Sequence, residues 1–73
     1  IMIYPNPTTG NFMVESKGGT LSVMGLDGRL IGEYDLKEGK DKVGLPQGLA
    51  AGMYMLEYHG PKAGKVLRLV YQP

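Results

Sequence analysis

Carboxylates are the residues best placed by type and spacing to do chemistry here. Five of the chain's seven Asp and Glu residues are Asp27, Glu33, Asp35, Glu38 and Asp41. Two such acids could serve as proton donor and nucleophile on a glycoside, but they must face each other across a cleft. A chain of 73 residues has little room to wall one. The same oxygens could hold calcium, yet their order does not follow the EF-hand spacing. His59 is the sole histidine and there is no cysteine, so no zinc site built on several nitrogen and sulfur ligands can be assembled. Ser16 and Ser22 have no histidine at triad disposal, and no glycine-rich phosphate loop precedes a helix. The chain reads as neither an enzyme nor a carrier of a metal or cofactor.

The elements that position these residues are short. Twelve glycines and five prolines punctuate the chain, leaving apolar runs of about five to seven residues, the length of strands. Residues 21–34 form the organising hairpin, with two apolar-rich runs flanking Asp27-Gly28. Two registers are open. A two-residue loop pairs Val23 with Gly32 and gathers Leu21, Val23, Leu30 and Tyr34 on one face. A longer loop, with Gly28 as the left-handed residue of a bulge, pairs Val23 with Ile31 and turns Leu30 to the other side.

Around that hairpin, residues 2–4 make a short first strand, ended by Pro5-Asn6-Pro7, whose prolines enforce a rigid extended path. Residues 11–16 alternate, with Phe12 and Val14 on the core side. Lys17-Gly18-Gly19 reads as a turn, and the mixed-charge segment DLKEGKDK after Tyr34 reads as a solvated loop. Val43 and Leu45 belong to a short strand stopped by Pro46. A loop rich in small residues follows, in which Gly52 marks a close backbone approach or a sharp bend. Residues 53–58 place Tyr54, Leu56 and Tyr58 on one face, and residues 65–71 place Leu67, Leu69 and Tyr71 on one face. Strands at this spacing predict an all-β chain, an immunoglobulin-like antiparallel β-sandwich of about seven short strands.

The net charge of +1 gives no electrostatic footprint for nucleic acid or an anionic membrane. No run approaches the ~20 apolar residues of a membrane span, and the N-terminus lacks the regions of a secretory signal. The chain begins at Ile1 without an initiator Met. It is expected to be a fragment of a longer protein, with residues 1–73 as one domain.

Four landmarks stand in a telling order: Tyr4-Pro5-Asn6-Pro7-Thr8-Thr9-Gly10-Asn11-Phe12, Gly28-Arg29-Leu30-Ile31, Gly52-Met53-Tyr54, and Lys65 with Arg68-Leu69-Val70. In them the chain resembles the type A C-terminal sorting domain of the type IX (Por) secretion system of Bacteroidetes. The resemblance covers essentially the whole chain. It departs from the family at the hairpin, where Gly25 stands in place of an Asp and the acid is shifted to Asp27. The loop GLPQGLAAG is also longer than the family's.

That resemblance implies that the longer protein is a secreted one, with an export address attached to an N-terminal cargo domain of the same chain. The cargo is in the periplasm in transit and ends at the outer membrane surface or outside the cell. The implied partners are the outer-membrane translocon and a sortase-like peptidase that removes the domain and attaches the cargo to the surface, with no nucleic acid and no direct membrane insertion. The family's motif positions fall on Pro5, Asn6, Pro7, Gly10, Gly28, Gly52 and Tyr54. Its recognition segment falls on Lys65, Arg68, Leu69, Val70, Tyr71 and Gln72, presented on a terminal strand that a partner can reach. The competing reading is an accessory immunoglobulin-like module that binds carbohydrate or acts as a spacer. Such binding calls for exposed aromatics, whereas Phe12 and most tyrosines here fit core-facing positions.

Overall fold

The alternation that starts at Asn11 does not stop at Lys17. In a computed structural model, which describes residues 1–73, it runs on to Met24. The elements are β1 (Met2–Tyr4), β2 (Asn11–Met24), β3 (Leu30–Gly44), β4 (Gly52–His59) and β5 (Gly64–Tyr71), with no helix. All strand pairs are antiparallel, in one sheet. β2 pairs with β3 from Asn11 opposite Gly44 to Met24 opposite Leu30. Its other edge is divided, with β1 against residues 13–15 and β4 against residues 20–24. β5 then pairs with β4 along its whole length.

The all-β antiparallel architecture is as expected, but the strands number five where about seven short ones were forecast. Two segments account for the difference. Lys17-Gly18-Gly19, read as a turn, lies inside β2, and DLKEGKDK, read as a loop, lies inside β3. Both chains bend together without losing their register: Lys17 still faces Glu38 and Gly19 still faces Leu36. The bend curls the sheet over itself. Phe12, Val14 and Val43 thereby meet Leu21, Val23, Leu56, Tyr58 and Leu69 in one buried cluster. The alternating apolar residues of both halves are the reason the curl is stable, since each half covers the other's apolar face.

The hairpin uses both of the registers left open by the sequence. Gly28 takes a φ of 87°. Its N–H donates to the Gly25 carbonyl at 3.0 Å, and the Gly25 N–H donates to the Arg29 carbonyl at 2.9 Å, closing a three-residue loop. Met24 consequently faces Leu30, as the longer loop requires. An irregularity beside it then restores Val23 opposite Gly32, as the shorter loop requires. Leu30 is displaced from the core face and is 57% exposed, while Ile31 packs against the core in its place.

At the bend, β2 passes very close to the end of β4. A methyl group on Gly19 would stand 2.0 Å from the His59 carbonyl oxygen, at a φ of 127°. No side chain fits there, so the crossing of β2 between the two halves depends on this glycine. Gly19→Ala is expected to lose about 3 kcal/mol of stability. Gly39→Ala, where an added Cβ meets nothing within 4 Å, should lose only the about 1–2 kcal/mol of a left-handed backbone. Urea denaturation of both variants checks this, and equal losses would refute the close-approach explanation.

Candidate recognition site

β5 has two edges, and its inner edge is fully paired to β4. Leu69, at the centre of β5, has no exposed surface. Leu67, Val70 and Tyr71 are half-buried, and Lys65, Arg68 and Gln72 are exposed. The predicted recognition residues divide only in part by alternation: Leu69 anchors the strand, Arg68 and Gln72 stand on the opposite face in solvent, and Lys65, on the same face as Leu69, is exposed near the start of the strand.

The outer edge of β5 is held by the segment from Pro5 to Gly10. The Asn6 side-chain amide donates from Nδ2 to the Arg68 carbonyl at 2.8 Å, and its Oδ1 accepts the Val70 N–H at 3.0 Å. Beyond it the Thr8 N–H donates to the Val70 carbonyl at 2.8 Å, and the Gln72 N–H donates to the Thr8 carbonyl at 2.8 Å. This is a parallel bridge between Thr8 and Tyr71. Asn6 stands between two prolines, which lack N–H donors, and its side chain supplies the donor and acceptor of a peptide unit. Both X-Pro bonds, Tyr4-Pro5 and Asn6-Pro7, are cis. Thr8 is fully buried, its Oγ1 donating to the Asn11 carbonyl at 2.8 Å and accepting the Gly10 N–H at 3.1 Å. The Leu45 N–H donates to the Gly10 carbonyl at 2.8 Å, tying the segment to the far end of β3. What the sequence presents as a loop that ends an edge strand is thus a clamp between two strand ends.

The remaining motif positions serve the fold. Gly28 shapes the hairpin loop described above. Gly52 opens β4 at a φ of 144° with free space around it, so it marks a bend and not a close approach. Tyr54 is buried and donates its hydroxyl to the Ala50 carbonyl. Tyr58 donates to the Gly18 carbonyl at 2.7 Å, and Tyr34 to the Gly44 carbonyl at 3.0 Å, so each phenol finds a backbone acceptor. None of the six aromatic residues is fully exposed.

The charges are distributed unevenly. Residues 61–73 hold three of the eight Lys and Arg residues, Lys62, Lys65 and Arg68, and none of the seven Asp and Glu. None of the three takes part in the Lys37–Asp41 ion pair or in the contact between Glu57 and His59. The carboxylates clustered in sequence are scattered over separate local tasks. Asp27 accepts the Arg29 N–H at 3.1 Å, Asp41 accepts the Lys37 N–H at 3.2 Å, and Glu33 meets Ser22 Oγ at 3.4 Å. No three His, Asp or Glu side chains converge as a metal site would require. Two open depressions, about 440 and 340 Å³, lie around Ile1, Lys17 and Glu38, the larger one bordered also by the turn Gly60–Ala63 that leads into β5.

Sequence reasoning named Asn6 as a motif position but missed that it and Thr8 fix the outer edge of β5. The available signal was an amide side chain isolated between two residues without N–H groups. Asn6→Ala should cost about 1–2 kcal/mol and speed amide exchange at Val70. Asn6→Asp, which keeps the acceptor, should leave the Val70 amide protected. Exchange measured by NMR distinguishes a clamp from a passive loop, for which neither variant would differ from the parent.

Tyr4 donates to Glu15 Oε2 at 2.6 Å. That bond, followed by burial and the Glu15 charge, raises the phenol above its usual value of 10.0, and burial raises Tyr34 likewise. A raised phenol favours the protonated native state, so its contribution is complete below the unfolded value and is lost as pH climbs through the folded one. The melting temperature should hold up to about pH 10 and fall above it. A Tyr4→Phe, Tyr34→Phe double variant should show a shallower fall, and an identical pH profile would remove these phenols as the cause.

A family model described as a secretion system C-terminal sorting domain matches residues 2–72. No curated protein and no solved structure matches the chain.

Proposed function

The chain belongs to the family of type IX (Por) secretion system C-terminal sorting domains, and from that premise we propose that its exposed basic terminal strand is the address the export machinery reads. Membership makes the chain a sorting signal for an attached N-terminal cargo, directed toward the outer membrane or the extracellular space. In the proposed sequence of events the cargo reaches the periplasm, the folded β-sheet docks on the outer-membrane translocon, and a sortase-like peptidase then removes the domain and attaches the cargo to the cell surface. Residues 1–73 act as one domain throughout, as substrate and ligand and not as catalyst.

The observation that carries this reading is the division of labour along β5. Lys65, Arg68 and Gln72 are exposed, and both cations lack an ion pair. The motif residues Pro5, Asn6, Pro7, Gly10, Gly28, Gly52 and Tyr54 have structural tasks that explain them without a partner. Unpaired, solvent-facing cations on a strand held rigid by its neighbours are suited to charge-assisted recognition. A carbohydrate-binding module is less well supported, because the aromatic side chains are turned inward or half-covered and offer no stacking platform.

A periplasm-targeted fluorescent reporter fused ahead of residues 1–73 should reach the medium or cell surface in a type IX-competent host and stay in the periplasm of a translocon-deletion strain. The Lys65→Ala, Arg68→Ala double variant should melt like the parent and lose export by at least about tenfold. Equal export of parent and double variant would discard the assignment of these two cations. Periplasmic retention of the parent in both hosts would discard the sorting role itself.

A further inference from the structure

The hydrogen bonds of Asn6 and Thr8 reveal which way every backbone group of β5 points. Arg68, Val70 and Gln72 direct their polar groups to the outer edge, and strand geometry repeats every two residues. No irregularity interrupts the pairing of β5 with β4, so Gly64 and Val66 also point outward. The clamp ends at the Arg68 carbonyl. Upstream of it, the N–H and C=O of Val66 and the N–H of Arg68 face no strand, since β5 is the last strand on its side of the sheet.

Open edges are normally blunted, and the other edges here are. Along β3 the Lys37 N–H is capped by the Asp41 carboxylate, the chain bends at Gly39, and Lys37, Glu38, Lys40, Asp41 and Lys42 crowd the edge with mixed charge. β1 is only three residues long. The upstream part of β5 has no carboxylate cap and no bend, and its charges, Lys65 and Arg68, are of one sign. Val66, a β-branched apolar residue at its centre, is 56% exposed. The downstream part of the same edge already accepts extended backbone, from Asn6 to Thr8.

Resting on the sorting role argued above, we propose that the address is read through its backbone: an extended, carboxylate-bearing segment of the export machinery adds as a strand to the open outer edge of β5 between Gly64 and Arg68. The carboxylates follow from charge: Lys65 and Arg68 on β5, and Lys62 in the turn before it, are exposed with no acid in their own segment, and the acid paired across from Val66, Glu57, is engaged by His59. Main-chain hydrogen bonds supply the affinity and the flanking cations the selectivity.

Val66→Pro deletes the outward N–H while leaving the bonds to β4 intact, and proline is tolerated on an edge whose N–H faces solvent. In the reporter assay it should lower export at least about tenfold, with melting close to that of the parent. Val66→Thr, which keeps the N–H, should export within about twofold of the parent, and Lys62→Glu should reduce export by about threefold or more. Parent-like export of the folded proline variant, or an equal loss in the threonine variant, overturns backbone reading while leaving the sorting role standing. Parent-like export of the Lys62→Glu variant overturns the carboxylate-bearing occupant. Failure of the parent fusion to be exported sinks the sorting role first. Independently of any variant, amide exchange at Val66 should slow at least about tenfold when the parent domain binds detergent-extracted translocon. Unchanged exchange there in the complex overturns the proposal even if the proline variant does not fold.

Discussion

The passage of one strand through the whole molecule is the constraint on which the rest depends. β2 pairs with β3 on one side and with both β1 and β4 on the other, so it must leave one half of the curled sheet and enter the next without breaking its ladder. Gly19 makes that passage possible by letting the backbone come against the His59 carbonyl, where no Cβ has room. Once β2 turns, β3 turns with it, and the two apolar faces close on each other. The buried cluster is therefore a result of the bend as much as of the apolar residues that fill it.

The bend leaves strand ends that need partners, and the molecule treats them differently. The end of β5 is taken by Asn6 and Thr8, the end of β3 by Gly10, and the middle of β3 by Asp41. Each of these is a polar group answering a specific backbone donor or acceptor. The outer edge of β5 between Gly64 and Arg68 has no such answering group, and the exposed cations Lys65 and Arg68 stand beside it. What the fold leaves unsatisfied thus lies on a strand whose inner face is locked by Leu69.

Much of the core was legible in the sequence. Phe12, Val14, Leu21, Val23, Val43, Tyr54, Leu56, Tyr58 and Leu69 fall on the faces that alternation assigns them, because side-chain period survives any smooth bend of a strand. The bend itself was not legible, since glycine and charged residues read equally as a loop or as a kinked edge strand. The face of Leu30 was left open between two registers because the loop takes one register and the strands behind it another. The clamp was legible only as an odd residue between prolines, for its partners Arg68 and Val70 lie at the opposite end of the chain. Periodicity carries no information about pairing at that distance. The family landmarks were visible as a pattern, yet which of them hold the fold and which face outward required the hydrogen bonds.

The clamp also has a consequence in time. Asn6 reaches its partners across sequence separations of 62 and 64 residues in a chain of 73. Closing so long a loop before other contacts exist costs entropy that nothing has yet offset. The clamp is therefore formed after the curled sheet has brought the two ends together, and its last bond requires Gln72 to have been synthesised. A chain interrupted before that point leaves the Thr8 carbonyl without its donor and β5 without its closing bridge. The outer edge of β5 is thus fixed only once residues 6–8 and 68–72 have met, which makes the clamp a late step in closing the sheet.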